Sequence, residues 1–161
     1  MTKIYILKNN TDHYGFVKQL AAEKNNIEKS ELILSKGNHG KPYFENLPDF
    51  HFNISHSGNF QVIAISNRPI GIDVERLKSV NPNVAKRFCK DEYGYITECD
   101  SDYRFIEIWT KKEAYLKYLG EGLHGGLNSF SALKTDIPIK TFKKGDYIIS
   151  VCGTEDFEII E

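Results

Sequence analysis

One long segment with helical periodicity, set between segments that alternate like strands, most constrains the fold of this chain. Residues 101–122 place apolar side chains at helical spacing, which is typical of an amphipathic helix with one buried stripe. The predicted stripe consists of Phe105, Ile108, Trp109, Leu116 and Leu119. Ser101 or Asp102 is expected to cap the start of this helix, and Gly120 with Gly122 is expected to end it.

The other periodic segments predict strands on both sides of this helix and two further helices. Strands are expected at residues 3–7, 31–35, 50–54, 60–67, 70–75, 146–153 and 156–161. Helices are expected at residues 14–26 and from Pro82, capped by Asn81, to Ile96. A polar turn at residues 55–59 separates two strands, and three successive strands between residues 50 and 75 favour an antiparallel meander. The sequence therefore predicts an α+β fold.

The composition is that of an ordinary soluble protein. The 161 residues are 40% hydrophobic and 27% charged, with a formal net charge of -1, which disfavours binding to nucleic acid or membranes by charge alone. The apolar stretch in the first ten residues is too short for a signal peptide and no other segment is long enough to span a bilayer, so a cytoplasmic protein is expected. Cys89, Cys99 and Cys152 are widely scattered, which predicts reduced thiols rather than a disulfide or zinc site.

The segment IGIDVERLK, residues 70–78, places two carboxylates two residues apart on a predicted strand. Because side chains alternate, Asp73 and Glu75 share one face while Ile72 and Val74 point to the other. One interpretation is a half-exposed strand with a solvated face. The other is a site for a hard cation that needs a third oxygen ligand, since like charges this close repel each other.

A candidate for the third ligand lies on the long helix. Ile106, Thr110, Glu113 and Lys117 form a stripe beside the buried one. Glu113 and Lys117 alone would be interpreted as a surface salt bridge between residues four apart. If the helix packs on the strand of residues 70–75, Glu113 completes a set of three carboxylates with Asp73 and Glu75. Such a set suits magnesium with a phosphate ligand.

Residues that could hold the phosphate lie upstream in the sequence. Lys41 follows the flexible Gly40, and the predicted turn after residue 54 offers Ser55, His56 and Ser57. Each has an ordinary alternative, because glycine, lysine and proline are common in turns and a loop histidine is often a solvated surface residue.

Three motifs together resemble a known family. The segments GKPYFENLPDFHFNISHSGNF, PIGIDVE and WTKKEAYLK closely resemble the 4'-phosphopantetheinyl transferases of the surfactin-synthetase-activating type, over residues 40 to 130. The resemblance implies two similar α/β lobes, each a small antiparallel sheet packed on a helix, with the active site between them. It divides the chain into an N-terminal lobe at 1–68 and a C-terminal lobe at 69–161. It also implies transfer of the phosphopantetheine arm of coenzyme A to a serine of an acyl or peptidyl carrier protein.

The same resemblance implies roles for individual residues. Magnesium would be held by Asp73, Glu75 and Glu113, together with the pyrophosphate of coenzyme A. The residues implied to contact coenzyme A are Gly40, Lys41, Pro42, Ser55, His56 and Lys117. Lys117 would also protonate the leaving phosphate, and Glu113 would accept the proton of the carrier serine. Glu92 matches an acidic position implied to act as an accessory base or ligand.

The chain departs from the usual pattern of this family in its first lobe. The connection between the first strand and the first helix is shorter, and it lacks clear matches for the basic residues that hold the 3'-phosphate of coenzyme A. Lys8, His13 and Lys36 are possible substitutes. The alternative function is therefore a non-catalytic module that binds carrier proteins or coenzyme A. A monomer is expected, with a carrier-docking surface formed by Arg76, Lys78, Lys86 and Arg87.

Overall fold

The chain forms nine strands and four α-helices within the part that the structure, a computed structural model, describes: residues 1–8, 10–121 and 126–161. The strands are β1 (Thr2–Lys8), β2 (Leu34–Lys36), β3 (Pro42–Phe44), β4 (His51–Ser57), β5 (Phe60–Ser66), β6 (Gly71–Arg76), β7 (Ile139–Lys144), β8 (Tyr147–Cys152) and β9 (Phe157–Ile160). The helices are α1 (His13–Asn25), α2 (Pro82–Ala85), α3 (Lys90–Glu98) and α4 (Ser101–Leu119). The predicted α+β class is confirmed. None of the helices described has the length and apolar character needed to cross a membrane.

The first sheet has the strand order β4-β5-β1-β9. The three strands from residues 1–68, β4, β5 and β1, are antiparallel as expected, but β9 runs parallel to β1, so the complete sheet is mixed. The reason is that the last strand of the chain returns to the first strand and extends its sheet. β9 lies within residues 69–161, yet its hydrogen bonds are made with β1.

β2 and β3 form a separate, two-stranded antiparallel sheet. The second of the two larger sheets, in the order β6-β8-β7, is antiparallel throughout. β6 pairs with β8 and not with β5, so the predicted meander of three successive strands is wrong. The free edge of β6 instead faces β4, and three polar side chains of β4 accept hydrogen bonds from its N–H groups. They are Asn53 Oδ1 from Ile72 (2.8 Å), Ser55 Oγ from Val74 (3.4 Å) and Ser57 Oγ from Arg76 (3.2 Å).

This polar zipper, formed by Asn53, Ser55 and Ser57, joins the two sheets without main-chain pairing. It also satisfies backbone donors that would otherwise be buried without partners, which is costly. The predicted turn at residues 55–59 is therefore wrong, because β4 continues to Ser57 and only the residues after it turn.

The two sheets pack face to face around the main hydrophobic core. This cluster includes Ile4, Ile6, Val62 and Ala64 from the first sheet and Ile72, Val74, Ile149 and Val151 from the second. α1 covers the opposite face of the first sheet through a cluster that includes Val17, Ala21 and Phe52. α4 covers the opposite face of the second sheet, and α3 packs against α4.

α4 is enclosed on more sides than its predicted stripe suggests. Its buried residues are Phe105, Ile106, Ile108, Thr110, Lys112, Ala114 and Leu116. Trp109 is only half-buried and Leu119 is 45% exposed. The difference arises because β6 and β8 contact one side of α4 while α3 contacts another. The stripe beside the predicted one is therefore also partly inside the protein.

A glycine at the start of β6 permits the close approach of α4. A Cβ atom at Gly71 would lie 2.0 Å from the carbonyl oxygen of Ala114 and 2.5 Å from the backbone nitrogen of Tyr118. No larger residue fits this contact without a shift of backbone. Helix and strand are thus held in direct backbone contact next to the carboxylates of β6.

The single helix predicted from Pro82 to Ile96 is two helices, α2 and α3. Cys89 has an extended backbone (φ -60°, ψ 153°) and precedes α3 as its N-cap. The Glu92 carboxylate accepts a hydrogen bond from the Cys89 N–H (3.0 Å), which favours a new helix start there. α4 ends at Leu119 because Gly120 is left-handed (φ 75°). Gly122 lies outside the described residues.

Candidate active site

Asp73 and Glu75 lie on the face of β6 that α4 covers. Ile72 and Val74 point into the core between the sheets, as the alternation predicts. Asp73 is only 5% exposed and Glu75 is half-buried. The face is thus covered by a helix, and the interpretation as an open, solvated face is wrong.

Lys117 of α4 and Ser55 of β4 meet at the carboxylate of Asp73. Lys117 Nζ donates to Asp73 Oδ1 (2.7 Å) and to Ser55 Oγ (2.9 Å), and Ser55 Oγ donates to Asp73 Oδ1 (2.8 Å). Three elements that are distant in sequence therefore converge on one carboxylate oxygen. The ion pair of Lys117 is with Asp73 of another element, not with Glu113 one turn away as the surface-pair interpretation expects.

The second oxygen of Asp73 has no hydrogen-bond partner among the described residues, although it is buried. Burial raises the pKa of the Asp73 carboxyl, while the charge of Lys117 opposes this effect. A buried acceptor without a partner costs about 1–3 kcal/mol. Such an atom indicates a place where a ligand or ion completes the structure.

Glu113 is electrostatically coupled to both carboxylates of β6. Its pKa is raised mainly by burial and further by the negative charges of Asp73 and Glu75, and Lys117 opposes the rise. Three acidic side chains therefore act on one another here. Like charges held this close favour binding of a cation or a proton.

Ser57 supports Glu75 as Ser55 supports Asp73. Ser57 Oγ donates to Glu75 Oε2 (3.1 Å) while it accepts the N–H of Arg76. The sequence names Ser57 as a possible phosphate contact in a turn, and it does not predict this hydrogen bond to Glu75. The available signal was the alternation Asn53, Ser55, Ser57, which places three polar side chains on one face of a strand.

The donor set fits magnesium by its chemistry, because three carboxylates and the unpartnered Asp73 Oδ2 offer the oxygen ligands that this ion prefers. In the described residues, however, no three or more His, Cys, Asp or Glu side chains are already arranged to hold one metal ion. The convergence of Asp73, Glu75 and Glu113 on a single ion stays a prediction.

The other residues predicted to contact coenzyme A lie in two places. His56 is exposed and follows Ser55 in β4, so alternation places it on the opposite face of the strand. Gly40 is left-handed (φ 81°) in the turn before β3, and Pro42 begins that strand. A cavity of about 620 Å³ opens here, with Lys41, Pro42 and Gly120 in its lining.

Glu92 has the contacts of a structural residue. It is fully buried and forms an ion pair with Lys112 (2.9 Å), which is itself 2% exposed. Its carboxylate also accepts the N–H groups of Cys89 (3.0 Å) and Ala132 (2.7 Å). This network joins α3 to α4 and to the segment around residue 132, so the geometry supports a role in folding and gives no support to the predicted role as accessory base or ligand.

The basic residues considered for other roles lie at the surface or near it. Lys8, the last residue of β1, is exposed. It pairs with Phe60 of β5, which pairs in turn with Ser57 of β4. His13 starts α1, and Lys36 ends β2 opposite Pro42. The residues predicted to dock a carrier protein are all exposed: Arg76, Lys78, Lys86 and Arg87.

Comparisons with known proteins agree with the motifs. Residues 69–158 match the 4'-phosphopantetheinyl transferase superfamily, and residues 15–68 match the description "4'-phosphopantetheinyl transferase, N-terminal". The 4'-phosphopantetheinyl transferase Sfp of Bacillus subtilis (strain 168) is 40% identical over 119 residues, which cover 71% of this chain and 53% of that protein.

More distant relatives show the same similarity. The 4'-phosphopantetheinyl transferase gsp of Aneurinibacillus migulanus is 38% identical over 109 residues, covering 65% of this chain and 45% of that protein. The L-aminoadipate-semialdehyde dehydrogenase-phosphopantetheinyl transferase of Mus musculus is 28% identical over 127 residues, covering 66% and 40%. The chain spans about half the length of the curated relatives it matches. As its motifs predict, the chain belongs to the 4'-phosphopantetheinyl transferase superfamily.

Proposed function

We propose that this chain transfers the 4'-phosphopantetheine group of coenzyme A to a serine hydroxyl of an acyl or peptidyl carrier protein. The serine oxygen forms a bond to the phosphorus of the phosphopantetheine phosphate. The bond from that phosphorus to the oxygen of the neighbouring phosphate breaks, and adenosine 3',5'-bisphosphate leaves. We further propose that the protein acts as a monomer in the cytoplasm.

The observation that carries this proposal is the convergence of Lys117, Ser55 and Asp73 beside Glu113. A pyrophosphate needs positive charge around its oxygens, and the attacking hydroxyl needs a base within reach. The cluster supplies an ammonium group and carboxylates from both acid-bearing elements in one place. The family matches support the same chemistry.

Asp73, Glu75 and Glu113 would hold magnesium, which when bound neutralises charge on the pyrophosphate oxygens. The rest is done by the protein. Glu113 accepts the proton of the carrier serine. Lys117 Nζ lies 2.7 Å from the carboxylate oxygen Asp73 Oδ1. From this position it contacts the pyrophosphate and donates a proton to the phosphate that leaves.

The nucleotide of coenzyme A is proposed to bind on the first lobe. Ser55 is in the cluster itself, Pro42 lines the cavity beside the end of α4, and Gly40 lies in the turn just before it. His56 reaches solvent from the same end of β4. Lys8, His13 and Lys36 are proposed as alternatives for the 3'-phosphate.

The test is a transfer assay with coenzyme A, magnesium and several apo carrier proteins. The expected result is a mass gain of one phosphopantetheine group on the carrier serine. Glu113→Gln should abolish it, while Glu158→Gln, which changes an exposed residue of β9, should not. If no carrier gains mass and Glu113→Gln leaves binding of coenzyme A or carrier unchanged, the chain is the non-catalytic module named as the alternative.

A further inference from the structure

The ammonium group of Lys41 is held in a way that a contact with coenzyme A does not explain. Its Nζ donates to the carbonyl oxygens of Ile70 (3.0 Å), Lys117 (2.5 Å) and Tyr118 (3.2 Å). A lysine ammonium has three N–H donors, so all of them are used within the protein. None of these acceptors belongs to the turn from which Lys41 comes.

Two of the three carbonyls are at the end of α4. The last carbonyls of a helix lack partners within it, and a positive charge at this end also interacts favourably with the helix dipole. The N–H of Gly120 bonds to Lys117 O (3.3 Å) and that of Glu121 to Leu116 O (3.0 Å). Lys41 adds a partner for Tyr118 O, and so it completes the C-terminal cap from a distant part of the chain.

The third carbonyl, of Ile70, immediately precedes β6. Lys41 therefore touches the start of the strand that carries Asp73 and Glu75, and the end of the helix that carries Glu113 and Lys117. These two ends lie against each other because Gly71 allows backbone contact with α4. One side chain thus links both acid-bearing elements at the point where they meet.

We propose that Lys41 is a positioning residue, which holds the last turn of α4 against the start of β6. It thereby sets the distance from the carboxylates of β6 to Glu113 and Lys117 on α4. This inference rests on the function proposed above. Burial lowers the pKa of Lys41 to about 8, which is consistent with an ammonium whose charge is stable only with partners such as these carbonyls.

The first test needs no substrate. Lys41→Met keeps the unbranched chain, shorter by one atom, and removes its N–H donors, while Lys140→Met makes the same change at an exposed lysine of β7. Amide hydrogen exchange at Gly120 and Glu121 should become about 10-fold faster in Lys41→Met and stay unchanged in Lys140→Met. If Lys41→Met does not fold, Lys41→Gln takes its place under the same criteria.

The second test separates positioning from direct contact with the nucleotide. With coenzyme A and with its 3'-dephospho analogue alike, kcat of Lys41→Met should fall by about 10- to 100-fold, with little change in KM. Lys41→Arg, which keeps the charge and its donors, should recover part of the loss. A direct phosphate contact would instead raise KM for coenzyme A more than for the analogue.

Unchanged exchange at the end of α4 in Lys41→Met overturns the proposal, and so does a loss confined to KM for coenzyme A. If the wild-type protein transfers nothing to any carrier, the proposed function fails. The exchange experiment then still decides whether Lys41 holds the helix end.

Discussion

Removal of one member of the buried ion pair between Glu92 and Lys112 should destabilise the whole protein. The two side chains are 0% and 2% exposed, and Lys112 Nζ also donates to the carbonyl of Phe130 and lies 4.3 Å from the centre of its ring. Glu92→Gln leaves this ammonium buried without an anion. Breaking such a pair costs about 3–5 kcal/mol, and in a chain of this size that lowers Tm by about 6–20 °C.

Urea unfolding followed by the fluorescence of Trp109, the one tryptophan, measures this cost. Lys112→Met should cost a similar amount, since it leaves the carboxylate of Glu92 buried and unpaired. The double variant should lose less unfolding free energy than the sum of the two single losses, because it leaves no buried charge without a partner. A loss of stability in the double variant that is smaller than the sum of the two single losses indicates that the two side chains stabilise the fold as a pair.

The neighbouring acid on α3 provides the control. Asp91→Asn alters an ion pair with the exposed Lys134 and should move the urea midpoint far less than Glu92→Gln. The reasoning is refuted if Glu92→Gln unfolds at the wild-type urea concentration. If that variant also loses transfer activity, Glu92 acts in the reaction, as the sequence first suggested.

Three further predictions concern the site itself. Gly71→Ala places a methyl group 2.0 Å from the backbone of α4 and should cost about 3 kcal/mol or more in urea unfolding, whereas Gly37→Ala, with its nearest atom at 3.7 Å, should be nearly neutral. Ser57→Ala removes the hydrogen bond to Glu75 and should lower the free energy of unfolding by about 1 kcal/mol. It should also weaken magnesium binding measured by calorimetry, whereas Ser57→Thr, which keeps the hydroxyl group, should bind magnesium like wild type. Because the pKa of Glu113 is raised on folding, this carboxyl group in the metal-free protein keeps its proton to higher pH when folded than when unfolded, and the stability of wild type relative to Glu113→Gln should fall as pH rises from 4 to 8. A difference that grows with pH would contradict this sign.

Local patterns in the sequence were sufficient for the position of the acidic residues but not for their partners. Alternation placed Asp73 and Glu75 on one face because it depends only on neighbours along a strand. The pairing of β6 with β8 depends on contacts some 75 residues apart, which no local period encodes. The side-chain contacts from β4 were missed for the same reason, although the alternating Asn53, Ser55 and Ser57 offered a hint.

The long helix shows a different limit. A lysine in a helical pattern is expected at the surface, since a buried charge is rare unless it is paired. Lys112 is buried because Glu92 lies beside it, and that carboxylate belongs to another helix. Periodicity alone therefore cannot reveal that Lys112 and Glu92 form part of the core.

The side chains of residues 1–68 that contact the acidic cluster are not those of the short connection expected to affect coenzyme A binding. The side-chain hydrogen bonds that link residues 1–68 to β6 and α4 come from Lys41 and from the polar zipper of β4. The short connection between β1 and α1, where the family usually supplies basic residues, contributes none of them within the described part of the chain. We therefore expect the acidic cluster not to depend on that connection, so any deficit relative to the longer relatives should appear in KM for coenzyme A rather than in kcat.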